Sequence, residues 1–139
     1  MDVRKINDRI SVAPQILPQE VAEAAEMGFR TIICNRPDGE ESGQPAEADI
    51  AAAASAAGLE YRFLPIWPGS FDSATIDGFG AALEELPGPV LAYCRSGTRS
   101  ATVWSLSQSG RLPPEQILSE TRAAGYDLSG IAAALRQPE

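Results

Sequence analysis

The chain has 139 residues, a formal net charge of -8, two cysteines and no histidine. With only 11 basic residues it offers no basic patch for a phosphate backbone, which excludes nucleic acid as a partner, although one local pocket can still be positive. The lack of histidine excludes a Ser-His-Asp triad, a Cys-His pair and a histidine-ligated zinc site, so neither a metal nor a cofactor is expected.

The length fits one domain over residues 1–139, large enough to bury about 68% of its unfolded surface without staples. Two cysteines do not make a secreted disulfide framework. Residues Met1 to Asp8 lack an apolar signal-peptide core, and no apolar run approaches the roughly 18 residues of a membrane span. A cytoplasmic protein with no membrane partner is expected.

In chain order, Val3 to Ile6 and Ile10 to Ala13 read as a strand hairpin. Pro18 opens a helix to Met27, stopped by Gly28. Phe29 to Cys34 is a β-branched run and reads as a buried strand. A polar loop from Asn35 to Gln44 leads into a helix over Pro45 to Ala57. Leu59 to Ile66 alternates with period two and reads as a third strand. Trp67 to Asp72 forms a loop, and Asp72 or Ser73 caps a helix ending near Leu86. Pro87-Gly88-Pro89 turns the chain into the strand Val90 to Tyr93. A helix follows through Ala101 to Leu106, then another from Pro113-Pro114 to Ala124, and a last one over roughly 128 to 136. Alternating strands and helices predict an α/β fold, a mainly parallel central sheet with helices on both faces. Ligands in such sheets bind beyond the carboxyl ends of the strands. Cys34 to Asp38, Ile66 to Asp72 and Cys94 to Arg99 all fall at such ends.

The segment Cys94-Arg95-Ser96-Gly97-Thr98-Arg99-Ser100 carries the chemistry. A thiol at the end of a buried strand is followed by a tight loop and a helix start. Loop N–H groups and the helix dipole make an anion cradle there, and the same field favours the reactive thiolate. From Ser100 to Gly110 no side chain is charged, so that helix is expected to be buried on most sides, with Trp104 in the core. Gly97 permits the open backbone such a loop needs. Arg99 sits where the helix dipole disfavours a cation, and a bound anion offsets that cost; its planar fork suits an anion clamp. Arg95 reads as a solvent-facing attractor of anions.

Other candidates are weaker. Cys34 reads first as a strand-end core residue, and second as a resolving thiol for Cys94. Asn35, Arg36 and Asp38 lie on the same expected rim, where Asp38, Glu40 and Glu41 read as solvated. Asp72 reads first as a helix cap, and second as a general acid. Trp67 and Phe71 shield the rim or simply pack.

The Cys94-x-x-Gly97-x-Arg99-Ser100 pattern resembles two families. The rhodanese loop places its arginine five positions after the cysteine, as here; the tyrosine-phosphatase loop places it six after and has a histidine where Tyr93 stands. Beyond the loop, the chain resembles the beta-lactamase-hydrolase-like family, also called phosphatase-like or "sulfur transferase". The matching stretches are Ile10 to Leu17, Asn35 to Glu41, Gln44-Pro45, Tyr61 to Ile66 and Pro89 to Ser100. The resemblance implies a tyrosine-phosphatase-like, dual-specificity-type, three-layer fold carrying a rhodanese-length loop. Some relatives are fused to persulfide dioxygenase-like metal hydrolases, which implies such an enzyme as a partner and a place in sulfide detoxification.

Loop length and leaving-group chemistry together favour a sulfurtransferase. A loop one residue shorter gives a tighter cup, suited to a cysteine persulfide, and sulfur transfer needs no acid for its leaving group. Cys94 would take sulfane sulfur from a small anionic donor, thiosulfate or a persulfide, and pass it to a thiol, sulfite or cyanide. Arg99 would orient the donor, with Ser96, Thr98 and Ser100 donating hydrogen bonds to the sulfur. One alternative is a cysteine-dependent phosphatase acting on phosphate esters with Asp72 as acid. The other is a redox- or anion-sensing module using Cys94 and Cys34.

Overall fold

The computed structural model describes residues 1–139. Five strands form one sheet: β1 (Arg4–Lys5), β2 (Ile10–Ala13), β3 (Thr31–Cys34), β4 (Glu60–Phe63) and β5 (Val90–Tyr93), in the order β1-β2-β5-β3-β4. β1 pairs antiparallel with β2, and the other pairs are parallel. Every residue of β2, β3 and β5 is buried. Their side chains divide between two cores. Ile10, Val12, Ile33, Val90 and Ala92 face one side; Ala13, Ile32, Cys34, Leu91 and Tyr93 face the other. Strands covered on both faces need such continuous apolar runs, which explains their sequences.

Helices α1 (Val21–Glu26) and α2 (Glu47–Ala56) close one face through Val21, Ala24, Ile50 and Ala54. Helices α3 (Ser73–Glu85), α4 (Thr98–Ser107) and α5 (Pro114–Ala123) close the other through Phe79, Ala82, Val103, Trp104 and Ile117. The layered, mainly parallel architecture is the expected one. Ser100 to Ser105 of α4 are all buried, as its uncharged sequence predicts. No helix is long and apolar enough to cross a membrane.

Several boundaries differ from the sequence reading by a few residues, and three of the differences have a physical reason. The first helix begins as a 3-10 turn over Pro18–Glu20 before α1. The third predicted strand stops at Phe63, because Pro65 has no N–H for the ladder. The N–H groups of Leu64 and Ile66 nevertheless reach the carbonyls of Cys34 and Asn35, both at 2.9 Å, so this segment stays laid along the end of β3. The last predicted helix is a 3-10 helix over Ser129–Ala134. Only its flanks, Leu128 and Leu135, are buried, and Gly130 lies within it, so no apolar stripe sustains an α-helix.

Candidate active site

β5 delivers Cys94 to the floor of the site. The Cys94 N–H donates to the carbonyl of Ala13 at 3.4 Å, which anchors the loop to the end of β2. The thiol is fully buried. Gly97 has φ of 91° and caps α4, a left-handed turn that costs glycine no steric penalty. That turn aims the Gly97 N–H at Cys94 Sγ, 3.1 Å away. The N-terminus of α4 adds its partial positive charge beneath the loop.

Two of the three hydroxyls expected to serve the sulfur, Ser96 and Ser100, donate elsewhere. Ser96 Oγ donates to Thr98 Oγ1 at 3.0 Å and accepts from the Thr98 N–H at 3.3 Å. Ser100 Oγ donates to Asn35 Oδ1 at 2.8 Å, and Asn35 Nδ2 donates to the Leu64 carbonyl at 2.9 Å. Ser100 and Asn35 are fully buried. Together they tie the start of α4 to the ends of β3 and β4, which is a structural role. Gly97 therefore supplies the direct contact to the thiol.

Arg99 lies above the loop, and its charge acts on Cys94. Its terminal nitrogens donate to both oxygens of Glu40 at 2.7 and 2.9 Å, and Nη1 also donates to the Ile66 carbonyl at 2.7 Å. Glu40 is no solvated loop residue: its side chain is 11% exposed and is also bonded by Arg36 Nε at 3.0 Å. Arg36, 4% exposed, reaches Gln15 Oε1 at 3.0 Å and Glu41 Oε1 at 2.9 Å with its remaining nitrogens. Arg95 is exposed, as expected, and pairs with Glu41 at 3.4 Å. Arg99 first, and then Arg36, hold the Glu40 carboxyl below the usual glutamate range against the desolvation that opposes them. Arg36, Gly39, Glu40, Glu41, Trp67, Pro68, Arg95 and Arg99 line a cavity of about 310 Å³, to which the loop contributes Arg95 and Arg99. Three arginines face it against two glutamates, so an acidic protein carries a locally positive pocket.

This chain resembles known proteins along most of its length. The family model for the beta-lactamase hydrolase-like protein, phosphatase-like domain, matches residues 2–111. The chain belongs to that family. A beta-lactamase hydrolase-like protein of Agrobacterium fabrum is 36% identical over 92% of this chain, and the chain spans only 30% of that protein. A crystal structure of a candidate phosphatase from Neisseria meningitidis Z2491 superposes with a TM-score of 0.85 at 30% identity, covering 96% of this chain and 95% of that one. The catalytic core of the PP-IP phosphatase Siw14 from S. cerevisiae shares the fold, with a TM-score of 0.66 at 16% identity over 95% of this chain and 81% of that one. The fold is thus that of the tyrosine and dual-specificity phosphatases. The relatives support phosphatase chemistry and give no support to the sulfur transfer that loop length favours.

In this phosphatase-like domain the structure separates two predicted residues from the loop. Asp72 is exposed, outside the cavity lining, and its Oδ1 accepts from the Thr75 N–H at 2.8 Å as the cap of α3. Cys34 pairs in register with Tyr93 and lies in the core against α1 and α2. Successive strand residues point to opposite sides, so Cys94, one residue past Tyr93, turns its thiol away from Cys34. Cys34 Sγ bonds to the Arg36 carbonyl at 3.3 Å, and burial pushes its thiol pKa up. Both cysteines are free, and this geometry corrects the resolving-thiol reading. Asp38 is exposed and its Oδ1 accepts from the Glu47 N–H at 2.8 Å, which holds the start of α2. Trp67, 55% exposed, lines the mouth.

Sequence reasoning missed Glu40 and Tyr126. An acidic pair four and five residues past a predicted rim arginine, Glu40 and Glu41 after Arg36, was the available signal for the first. Tyr126 carried none, because only the packing of α5 brings it to the loop.

Proposed function

We propose that this domain is a cysteine-dependent phosphatase acting on phosphomonoesters with a good leaving group. The observation that carries this is the buried Cys94 thiol with the Gly97 N–H on its sulfur at 3.1 Å, in a loop whose Arg95 and Arg99 line an arginine-rich cavity. Membership of a phosphatase-like domain family supports it.

The Cys94 thiolate attacks phosphorus. An S–P bond forms as the P–O bond to the leaving group breaks, giving a phosphocysteine. Arg99 and the loop N–H groups balance the charge on the phosphoryl oxygens. Water then attacks phosphorus, the S–P bond breaks, phosphate leaves, and the thiolate is restored. The cavity carboxylates Glu40 and Glu41 are occupied by arginines, and Asp72 is engaged with Thr75. The leaving oxygen therefore departs as its anion and takes its proton from water. Aryl phosphates meet that requirement; simple alkyl phosphates do not.

The test is Cys94-dependent release of para-nitrophenol from its phosphate ester, with an alkyl phosphate compared in parallel. Turnover of the aryl ester that vanishes in Cys94→Ser is expected. One observation favours a second reading: only four residues separate Cys94 from Arg99. Gain of one sulfur atom on Cys94 from thiosulfate, without phosphate release, would replace phosphatase chemistry by sulfur transfer.

A further inference from the structure

The Ser96–Gly97 peptide group is held from both ends. Its N–H, belonging to Gly97, donates to Cys94 Sγ at 3.1 Å. Its C=O, belonging to Ser96, accepts from the Tyr126 hydroxyl at 3.1 Å. In a trans peptide the N–H and C=O point in opposite directions, so one bond enforces the other. Gly97 has φ of 91°, a residue type and a region in which the peptide plane turns over easily. If this plane flipped, the Ser96 carbonyl oxygen would face the sulfur, and an acceptor would replace the donor.

We propose that Tyr126 is a positioning residue that locks the Ser96–Gly97 peptide so that its N–H faces Cys94 and supports the thiolate. A hydrogen bond to the carbonyl also polarises the amide and makes its N–H a stronger donor. The neighbouring peptide has its own prop, since the Arg95 carbonyl accepts from the Gln15 N–H at 3.2 Å. That prop is backbone and survives most substitutions; the Tyr126 prop depends on one hydroxyl. The placement is built. Gly125 turns the chain with φ of 102°, the Tyr126 N–H returns to the Thr121 carbonyl at 2.9 Å, and Leu128 is buried in the core. The aromatic body of Tyr126 packs against that same core. A side chain at Gly97 would collide with the Tyr126 hydroxyl, so the two positions are matched. Burial also raises the Tyr126 pKa, which keeps the hydroxyl protonated as a donor. Tyr126 lies outside residues 2–111, the part matched by the phosphatase-like family model, so the segment after that match completes the loop.

The inference rests on Cys94 being the reacting thiol and is independent of which group it transfers. The test is the pH profile of iodoacetamide alkylation at Cys94, assigned by peptide mass, for the wild type and Tyr126→Phe. Arg99 faces Cys94 on one side and Tyr126 stands behind the loop, and the substitution changes no charge on either. Alkylation at neutral pH is expected to slow roughly two- to tenfold, with the profile moved to higher pH. A Tyr126→Phe profile that overlays the wild type would overturn the proposal. A second readout needs no variant: the Gly97 amide proton resonance should shift as Cys94 ionises. A resonance that stays still would overturn it equally.

Discussion

Arg99 presents both terminal nitrogens to the carboxylate of Glu40, at 2.7 and 2.9 Å, across 59 residues of sequence. The pair is nearly sealed from solvent, with 12% and 11% of the two side chains exposed. A third bond, from Arg99 to the Ile66 carbonyl, fixes the plane of the guanidinium. Under the proposed function, Arg99 is thereby oriented before any substrate arrives, which would remove an ordering cost from binding.

Glu40→Gln tests that relationship. The amide keeps one acceptor oxygen, turns the other into an NH2 donor facing an arginine, and removes the charge, so Arg36 and Arg99 lose compensation in a buried position. Stability is expected to fall by about 1–3 kcal/mol, read from urea unfolding. Turnover of para-nitrophenyl phosphate is expected to fall about tenfold in kcat/KM as Arg99 loses its orientation. Unchanged kinetics would show that the Ile66 carbonyl alone positions the guanidinium.

The same carboxylate sets an acid limit. A carboxyl whose folded-state pKa lies below its unfolded value adds stability above the unfolded value and loses it as pH falls through the folded one. Glu40 is such a group, because Arg99 favours its anion. Urea midpoints should therefore decline below the ordinary glutamate range. The decline should be shallower in Glu40→Gln, which has no carboxyl to protonate.

Asp72 separates capping from catalysis. Asp72→Asn keeps an acceptor for the Thr75 N–H, while Asp72→Ala removes it. The alanine variant is expected to lose about 1 kcal/mol of stability and the asparagine variant little. Turnover of an aryl phosphate should stay within about twofold of wild type in Asp72→Asn, since no proton is drawn from that carboxyl. A large loss would make Asp72 the acid and require its loop to close over the cavity.

Ser100 and Asn35 form a buried polar pair linking α4 to β3. Ser100→Ala leaves Asn35 Oδ1 without its donor away from water. The expected cost is about 1–3 kcal/mol by thermal or chemical unfolding. A variant as stable as wild type would show that water enters to replace the hydroxyl.

Gly97→Ala adds a methyl group in the left-handed region and drives it onto the Tyr126 hydroxyl and the Ala13 backbone. A loss of more than about 1 kcal/mol is expected, together with Cys94 reactivity. Combining it with Tyr126→Phe should recover part of the stability, because one clash is removed, and none of the reactivity. Strictly additive losses in the double-mutant cycle would show that the two sites do not meet.

Much of this protein is legible in its sequence because the signals are local. The β-branched and apolar runs at Thr31–Cys34 and Val90–Tyr93, punctuated by Gly28, Gly58 and Pro89, specify buried parallel strands. The order strand, cysteine, glycine, arginine, helix specifies an anion loop with a thiol at its floor, since dipoles and turn chemistry act over a few residues. Where the signal was weak the element changed, as when Gly130 and the lack of a buried face made the last helix a 3-10 helix. What each polar side chain does was decided by residues distant in the chain. Glu40 reads as a solvated loop residue in sequence, yet folding sets it between Arg36 and Arg99, and Ser100 reads as a donor to sulfur, yet it donates to Asn35 Oδ1. Cys34 and Asp72 take the first of their two readings, a core residue and a helix cap, because strand alternation and the Thr75 N–H turn them away from Cys94. The sequence by itself determined the sheet, the loop and the thiol at its floor, because backbone preferences and apolar periodicity are properties of neighbours along the chain. Only the tertiary structure decided the ion pairs, the rim and the tyrosine behind the loop, because a side chain's charge and hydrogen-bonding capacity go to whichever partner packing brings within about 3 Å.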